Sequence, residues 1–545
     1  MSWLPVQLSY EQAAHLAEQG TLVTASSRRL LLVQLYSSLQ PADAEPLSVA
    51  TLASAVQDLT EVEVRTVNPV TDPRAVSDFV AFVRRERHEL VGLSVPQGTY
   101  DTALEIIEVL RALRSARGHP EVLLGHALPT HLPERFLGVD PDVLIIRGWG
   151  ENALRAYLSG QPRHRLADVV FMERGELVRT PARPDGQPVY PPPLRVGGDY
   201  FRRVEASRGC QFGRCTFCTR PPGRADQWSA TARERIAADL SALAAMGVRR
   251  FTFTDEDFQP GTGIAALVRD HGPFTYTVSM RVDTLMGRKG DRQGMTTSEA
   301  ELADLYDSGL RQVYLGVETL SGSQIRRFGK RATADHSISA VRRLVRRGFD
   351  VEIGLILFDP LVTLEELAES VDLMLSSGLW RHAGAPFGKL RIQVDSPMAR
   401  SRRLAPMLTT MDPNMMAYSW DYADPRVARA WQVGLDWWNG LDQVYQLIRN
   451  VVRTGRDRPD LLRVATSALL MLRASSFQVL RLAIESIRQG GSGLEADTVT
   501  SLIERRERAL SAVNAAFGEG SDRVTTGRLV EEIHKVAMKD GTDGC

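Results

Sequence analysis

The chain has 545 residues, enough for two or three domains each with its own core, and its 66 basic and 66 acidic side chains cancel, so no electrostatic footprint for nucleic acid stands out. Four cysteines in this length is reduced, cytoplasmic usage, not a disulfide framework. Glu11 and Glu18 interrupt any reading of the first stretch as a signal peptide, and no apolar run reads as long enough to cross a bilayer.

Residues 28–160 alternate β and α patterns. Short apolar runs at Leu30–Leu35, Val62–Val67, Leu90–Val95, Glu121–Gly125 and Val143–Gly148 suit buried parallel strands. Helical periodicity separates them at Leu47–Leu59, Arg74–Arg87 and Thr102–Ala116. Strands with crossover helices imply a doubly wound sheet whose ligand crevice lies beyond the strand C-terminal ends. Those ends carry Ser94 with Gln97, then Gly125-His126-Ala127-Leu128-Pro129-Thr130, then Gly148-Trp149-Gly150-Glu151. A response-regulator or dinucleotide domain is open on this pattern, although no G-x-G-x-x-G follows the first strand. A β-hairpin over Asp168–Val178, turning at Arg174-Gly175, leads into a Pro/Gly-rich linker, Thr180–Gly198.

Three of the four cysteines, Cys210, Cys215 and Cys218, then fall within nine residues. Thiolates bind iron–sulfur clusters well, and this loop offers ligands for three irons of a four-iron cube, leaving one iron open. A zinc loop with a histidine or Cys545 as fourth ligand is the alternative, but no histidine lies within the loop. Beyond a helix over Ser229–Met246, four strand segments end in polar residues. They are Arg249–Phe253 leading to Asp255, Phe274–Met280 leading to Ser279 and Arg281, Val313–Thr319 with Glu318, and Val351–Leu357. Carboxylates at strand C-terminal ends stand where β/α barrels place their ligands. Past about Ser401 the patterning turns helical and aromatic, with Trp420, Trp431, Trp437, Trp438 and Tyr445 serving either as a cap over a substrate chamber or as helix packing. Residues 460–540 read as two or three amphipathic helices broken at Gly490-Gly491-Ser492-Gly493.

In this order the segments resemble the cobalamin-dependent branch of the radical S-adenosylmethionine (SAM) superfamily, over about residues 28–400. The family loop is C-x3-C-x2-C with an aromatic before the last cysteine. This chain keeps Phe217-Cys218 but has C-x4-C-x2-C, and Gly213 is suited to absorb the extra residue. The resemblance implies an α/β architecture: an extension over 1–27, a doubly wound Rossmann-like cobalamin-binding domain over 28–165, a hairpin and linker over 166–197, a partial (β/α) barrel radical SAM domain over 198–400, and a helical C-terminal region over 401–545.

By the same resemblance, Cys210, Cys215 and Cys218 hold a 4Fe–4S cluster, Phe217 packs near adenine, and Ser279, Arg281 and Glu318, with Asp255, contact SAM. Ser94, Gln97, Gly125, Pro129, Thr130, Gly148, Gly150 and Glu151 belong to the cobalamin site, where small residues let a corrin and its tail approach backbone. The motif Asp-x-His-x-x-Gly is absent, so no histidine is assigned to cobalt, and His126 reads as a turn residue. The activity implied is methylation of an unactivated carbon of a natural-product or peptide intermediate, through a 5′-deoxyadenosyl radical and methylcobalamin. A rearrangement or cyclisation on the same cofactors is the alternative, and a cobalamin or redox sensor the non-enzymatic one. Expected partners are the small-molecule or peptide substrate and a reductase or flavodoxin-type electron donor, with no nucleic acid and no membrane, in the cytoplasm.

Overall fold

Strand β1 (Arg29–Leu35) is apolar along almost its whole length and buried beyond its first residue, so it belongs inside a sheet covered on both faces. The fold is given by a computed structural model. It describes residues 28–40, 43–182, 190–220, 228–287, 297–439, 441–454 and 459–491, together with 504 and 511. Around β1 stand β2 (Glu61–Val67), β3 (Leu90–Ser94), β4 (Glu121–Gly125), β5 (Leu144–Ile146), β6 (Val169–Glu173) and β7 (Glu176–Arg179), in the order β2-β1-β3-β4-β5-β6-β7. The first five run parallel, and β6 and β7 are antiparallel. The expected hairpin is therefore part of this sheet. Val169, Val170 and Phe171 are buried, so pairing with β5 removes an edge and covers apolar surface together. Separate cores fill the two faces: the helices Ala75–Arg85 and Tyr100–Arg117 cover one, and Leu47–Val56 and Glu151–Leu158 the other. Strand order reverses between β1 and β3, the switch point at which doubly wound sheets open a crevice.

The second sheet is parallel throughout, in the order β14-β13-β12-β11-β8: β8 (Arg202–Val204), β11 (Arg250–Phe253), β12 (Thr275–Arg281), β13 (Leu310–Glu318) and β14 (Asp350–Leu355). Alternation sets its two faces. Tyr276, Val278, Met280, Val313, Leu315, Val351 and Ile353 are buried in the surrounding core, while Thr277, Ser279, Gln312, Tyr314, Glu318 and Glu352 lie on the opposite, less buried face. Five strands make an open barrel with a polar concave side. Between β8 and β11 lies an antiparallel pair, β9 (Ser207–Gly209) and β10 (Trp228–Ala230), which leads into and follows the cysteine loop.

Residues past 401 do not begin as helices. β16 (Leu408–Asp412) and β17 (Ala417–Trp420) form an antiparallel sheet with β15 (Ile392–Gln393), turned by Asp412, whose Oδ1 accepts from Asn414 N at 2.8 Å. That turn docks on the first domain: Gly98 N donates to the Asn414 carbonyl at 2.7 Å, Tyr100 N to its Oδ1 at 2.8 Å, and Met416 is buried in the first domain's core. The helices Pro425–Trp438, Asp442–Thr454 and Pro459–Arg488 follow. The last contains a 27-residue stretch, Leu462–Arg488, long and apolar enough to cross a membrane by length and composition, contrary to the sequence expectation; 61% of its most apolar window is buried inside the protein. Most of the stretch expected beyond Gly490, and Cys545, lie outside the described residues.

Gly309, where the chain enters β13, has φ +107°, and a Cβ there would stand 1.9 Å from the Phe274 carbonyl oxygen, a contact with backbone. Gly309→Ala is expected to lower stability by about 2 kcal/mol or more, read as a drop in the denaturation midpoint. An unchanged midpoint would contradict this packing.

Candidate functional site

The C-terminal ends of β1, β3, β4 and β5 face the barrel, and a cavity of about 600 Å³ opens between them. Gln34, Ser94, Gln97, Gly125, Gly148, Gly150 and Glu151 line it from the first domain, and Arg203, Glu205, Arg208, Thr254 and Glu256 from the barrel. Its polar floor is a chain of side chains: Ser48 Oγ donates to Gln34 Oε1 at 2.9 Å and lies 3.5 Å from Ser94 Oγ. Small residues keep the space open. A Cβ on Gly150 would meet Leu52 at 3.1 Å, and one on Gly92 would meet Leu32 at 2.7 Å.

Two of the expected residues stand elsewhere. Pro129 and Thr130 are not in a turn at the cavity wall but in the short helix Ala127–His131, both buried, with the Thr130 hydroxyl donating to the His126 carbonyl at 2.7 Å. The reversal falls one residue earlier, at His126, which has φ +78° and accepts from Ala127 N through Nδ1 at 2.8 Å. His126 therefore caps this helix and faces the cavity. Desolvation, followed by the Arg203 charge, lowers its pKa to about 4, which keeps the ring neutral with its proton on Nε2. Glu151 is buried and paired: Arg208 Nη2 lies 2.5 Å from its Oε1, and Arg208 Nε donates to Glu205 at 2.8 Å. Burial works against the Glu151 carboxylate, but Arg208 outweighs it and leaves the pKa lowered.

Beside this cavity lies the cysteine loop. All three thiols are free: Cys210 is buried and Cys215 and Cys218 half-buried. Burial pushes the Cys218 thiol up; Arg220 opposes this, while the charges of Cys215 and Cys210 add to it. Four contacts pin the loop. Thr216 N donates to the Phe328 carbonyl at 3.1 Å and Thr216 Oγ1 to the Arg327 carbonyl at 2.8 Å. Thr219 Oγ1 donates to the Val394 carbonyl at 3.0 Å, and Met398 N to the Thr216 carbonyl at 2.9 Å. The extra loop residue is used: Gly213 adopts φ +60°, and the Phe212 ring lies under the Arg281 guanidinium at 4.1 Å. Among the described residues no three His, Cys, Asp or Glu side chains gather around one point as ligands of a single ion. Three soft sulfur donors on one short loop fit a four-iron cluster that keeps one iron open.

Arg281 donates to Cys215 Sγ at 3.2 Å and to Asp283 at 3.0 Å. Burial opposes its charge, and Asp283 with the sulfur more than restores it. Ser279 and Glu318 stand on the concave face, and Glu318, at φ +70°, accepts from Lys330 Nζ at 3.0 Å, which also donates to the Gly316 carbonyl at 2.6 Å. Phe217 packs edge-on to Phe328 with ring centres 5.3 Å apart. Asp255 is directed away from the cavity, 4% exposed: it accepts from Ala206 N at 3.1 Å and from the Ser207 hydroxyl, and so fixes the strand that delivers Cys210. Sequence reasoning missed Glu45, Arg203, Arg208 and Lys330. The alternation of Arg202 and Arg203 just before the cysteine loop, one buried and one facing the cavity, was the available signal.

Residues 40–158 match the family model described as the B12 binding domain, and residues 204–374 that of the radical SAM superfamily. Among curated proteins, 4′-phospho-dehydrooxetanocin synthase of Priestia megaterium is 25% identical over 373 residues, 60% of this chain and 48% of that protein, so the chain spans about half that relative's length. An uncharacterized methyltransferase of Pyrococcus horikoshii is 24% identical over 348 residues, 60% of this chain and 72% of that protein. Among solved structures, the cobalamin-dependent S-adenosylmethionine radical enzyme OxsB, with aqua-cobalamin and S-adenosylmethionine bound, superposes with TM-score 0.78 at 18% identity, covering 94% of this chain and 84% of OxsB. The radical S-adenosylmethionine methyltransferase TsrM of Kitasatospora setae, with cobalamin and a 4Fe–4S cluster bound, gives 0.55 at 17% identity, covering 72% and 81%. At these identities the structural likeness is one of fold.

Burial raises the Asp255 pKa to about 6, with the Ser207 and Ala206 hydrogen bonds pulling the other way. A carboxyl whose folded pKa lies above its unfolded value favours the fold when protonated. Its contribution is thus full below about pH 4 and is lost as pH rises through about 6, on the order of 3 kcal/mol. Asp255→Asn should flatten this component, read as the difference between variant and parent in unfolding free energy across that window. A constant difference would refute it.

Proposed function

This chain joins a B12-binding domain to a radical SAM domain, and we propose that it is a cobalamin-dependent radical enzyme that methylates an unactivated carbon of a natural-product or peptide intermediate. One observation carries the reading: the cavity at the strand ends of the first sheet is walled on its other side by β8 and β9, the strands that lead straight into the cysteine loop. A corrin seated there would face the barrel mouth. When bound, the cofactors would supply the electron, the hydrogen-abstracting radical and the methyl group; the protein's part is to hold and orient them and to exclude water.

In this reading Cys210, Cys215 and Cys218 hold the cluster, and Arg281, fixed by Asp283 and Phe212, balances thiolate charge. Ser279, Glu318 and Phe217 are proposed for SAM, with Lys330 orienting Glu318. Ser94, Gln97, Gly125, Gly148, Gly150 and Glu151 are proposed for the corrin; Pro129 and Thr130 support the wall from behind. Asp255 positions the strand that leads into the cysteine loop. The electron donor would be a reductase or flavodoxin-type protein of the cytoplasm.

Rearrangement or cyclisation without methyl transfer is a second reading. It is favoured by the breadth of the match to OxsB, described as a radical enzyme, and by the curated relative named a synthase. Turnover with methyl-labelled SAM separates the two: product without label sinks methylation.

Anaerobic reconstitution with iron, sulfide and hydroxocobalamin should give one four-iron cluster and one corrin per chain, and 5′-deoxyadenosine on reduction. Replacing all three loop cysteines by alanine should abolish both iron and 5′-deoxyadenosine; a cluster that survives overturns the proposal. His126 has its proton on Nε2 and its Nδ1 engaged, so it cannot ligate cobalt without giving up its cap. Bound cob(II)alamin should therefore show no protein nitrogen splitting by electron paramagnetic resonance, and His126→Ala should leave the spectrum unchanged. A nitrogen triplet that disappears in the variant would show the opposite.

A further inference from the structure

Every charged carboxylate or guanidinium lining the main cavity is in a direct ion pair with an opposite charge, except one. Glu45 binds Arg195 and Arg202, Glu151 and Glu205 share Arg208, and Glu256 pairs with Arg220. Arg203, at the centre of β8, lines the same cavity, and its guanidinium makes no hydrogen bond or ion pair with any described residue. Glu45 is the carboxylate whose charge acts on it, but both Glu45 oxygens are taken, and Asp43 borders only the second cavity described below. Glu45 Oε1 accepts from Arg202 at 2.8 Å, and Oε2 accepts from Arg195 and from Arg203's own backbone amide at 3.0 Å. The Tyr36 hydroxyl is committed to the Ala44 carbonyl, and the other nearby titratable group, His126, is held neutral. Burial disfavours the Arg203 charge and lowers its pKa.

A half-buried cation that lines a cavity without a direct ion pair is a ready partner for an anion arriving from outside. Arg203 also lines a second cavity, of about 180 Å³, with Thr252, Thr277 and Gln312 of the barrel. It therefore borders both the main cavity and the one within the barrel.

We propose that Arg203 anchors an oxyanion, a phosphate or carboxylate, carried by the substrate. The inference rests on the functional reading above, which puts corrin and substrate in this cavity. The corrin's nucleotide tail also carries a phosphate, but the strand ends proposed for it, with Ser94, Gln97 and Gly125, form the opposite wall. Arg203 is on the barrel wall, on the edge strand β8 next to β11. Arginine suits this role because its planar fork pairs two oxygens at once.

The test uses the full-length protein loaded anaerobically with cluster and hydroxocobalamin, inorganic phosphate as the probe, and the variants Arg203→Gln and Arg203→Lys. Phosphate affinity of the holoprotein by calorimetry should fall at least tenfold in the glutamine variant and less in the lysine variant, with hydroxocobalamin affinity by absorbance unchanged in both. Unliganded Arg203→Gln should melt no lower than the parent, since an uncompensated charge has gone. Equal phosphate affinity in parent and glutamine variant, or no phosphate binding, overturns the proposal. So does a variant that weakens hydroxocobalamin but not cobinamide, which lacks the tail phosphate, because the anion is then the corrin's. Failure of the parent protein to take up any corrin overturns the functional reading instead, so the two failures are told apart.

Discussion

Two buried carboxylates of the first domain, Glu45 and Glu151, hold the site together. Neither can be left unpaired out of water, and the donors that satisfy them belong to the segment that follows the first domain and enters the barrel: Arg195 and Arg202 for Glu45, Arg208 for Glu151. The pairing fixes the strand ends of the first sheet against β8 and β9, which makes the cavity a joint property of the first domain and the barrel. Main-chain contacts add to the seam: Phe201 N donates to the Asp43 carbonyl at 2.7 Å and Glu45 N to the Phe201 carbonyl at 3.3 Å. Arg208 lies two residues before Cys210, so the ion pair that closes the cavity also aims the cysteine loop.

That loop is held by backbone and hydroxyl groups of segments distant in sequence, around Phe328 and around Val394 to Met398. Such anchoring leaves the thiols themselves free. The spacing of five between Cys210 and Cys215 is accommodated in the same spirit. A left-handed Gly213 takes up the additional residue, and Phe212 becomes the platform on which Arg281 rests at ligand distance from Cys215.

Much of the fold was legible because its signals are local. The buried apolar runs of β1 and β3 to β5, the alternation in β12 and β13, and the clustered cysteines need no knowledge of partners. The misreadings share one physical origin, since each depends on what lies across space. Asp255 ends a strand as a ligand-binding acid would, but the nearest donors are Ala206 and Ser207, so it serves the chain and not the cavity. Pro129 and Thr130 read as a turn, yet His126 takes the reversal and lets a short helix start one residue later. The hairpin β6–β7 looked like a connector until its valines found β5. Arg203 was invisible because what distinguishes it is a missing partner, and no local pattern encodes that.

The docking of Asn414 and Met416 on the first domain bears on how this chain is made. Synthesis proceeds from the amino terminus at about 5–20 residues per second. The doubly wound unit therefore leaves the ribosome well before the segment that completes its core and caps its Tyr100–Arg117 helix. The seam to which Arg195, Arg202 and Arg208 contribute comes only after that unit, so a corrin could be lodged between the two walls only once translation has passed β8 and β9.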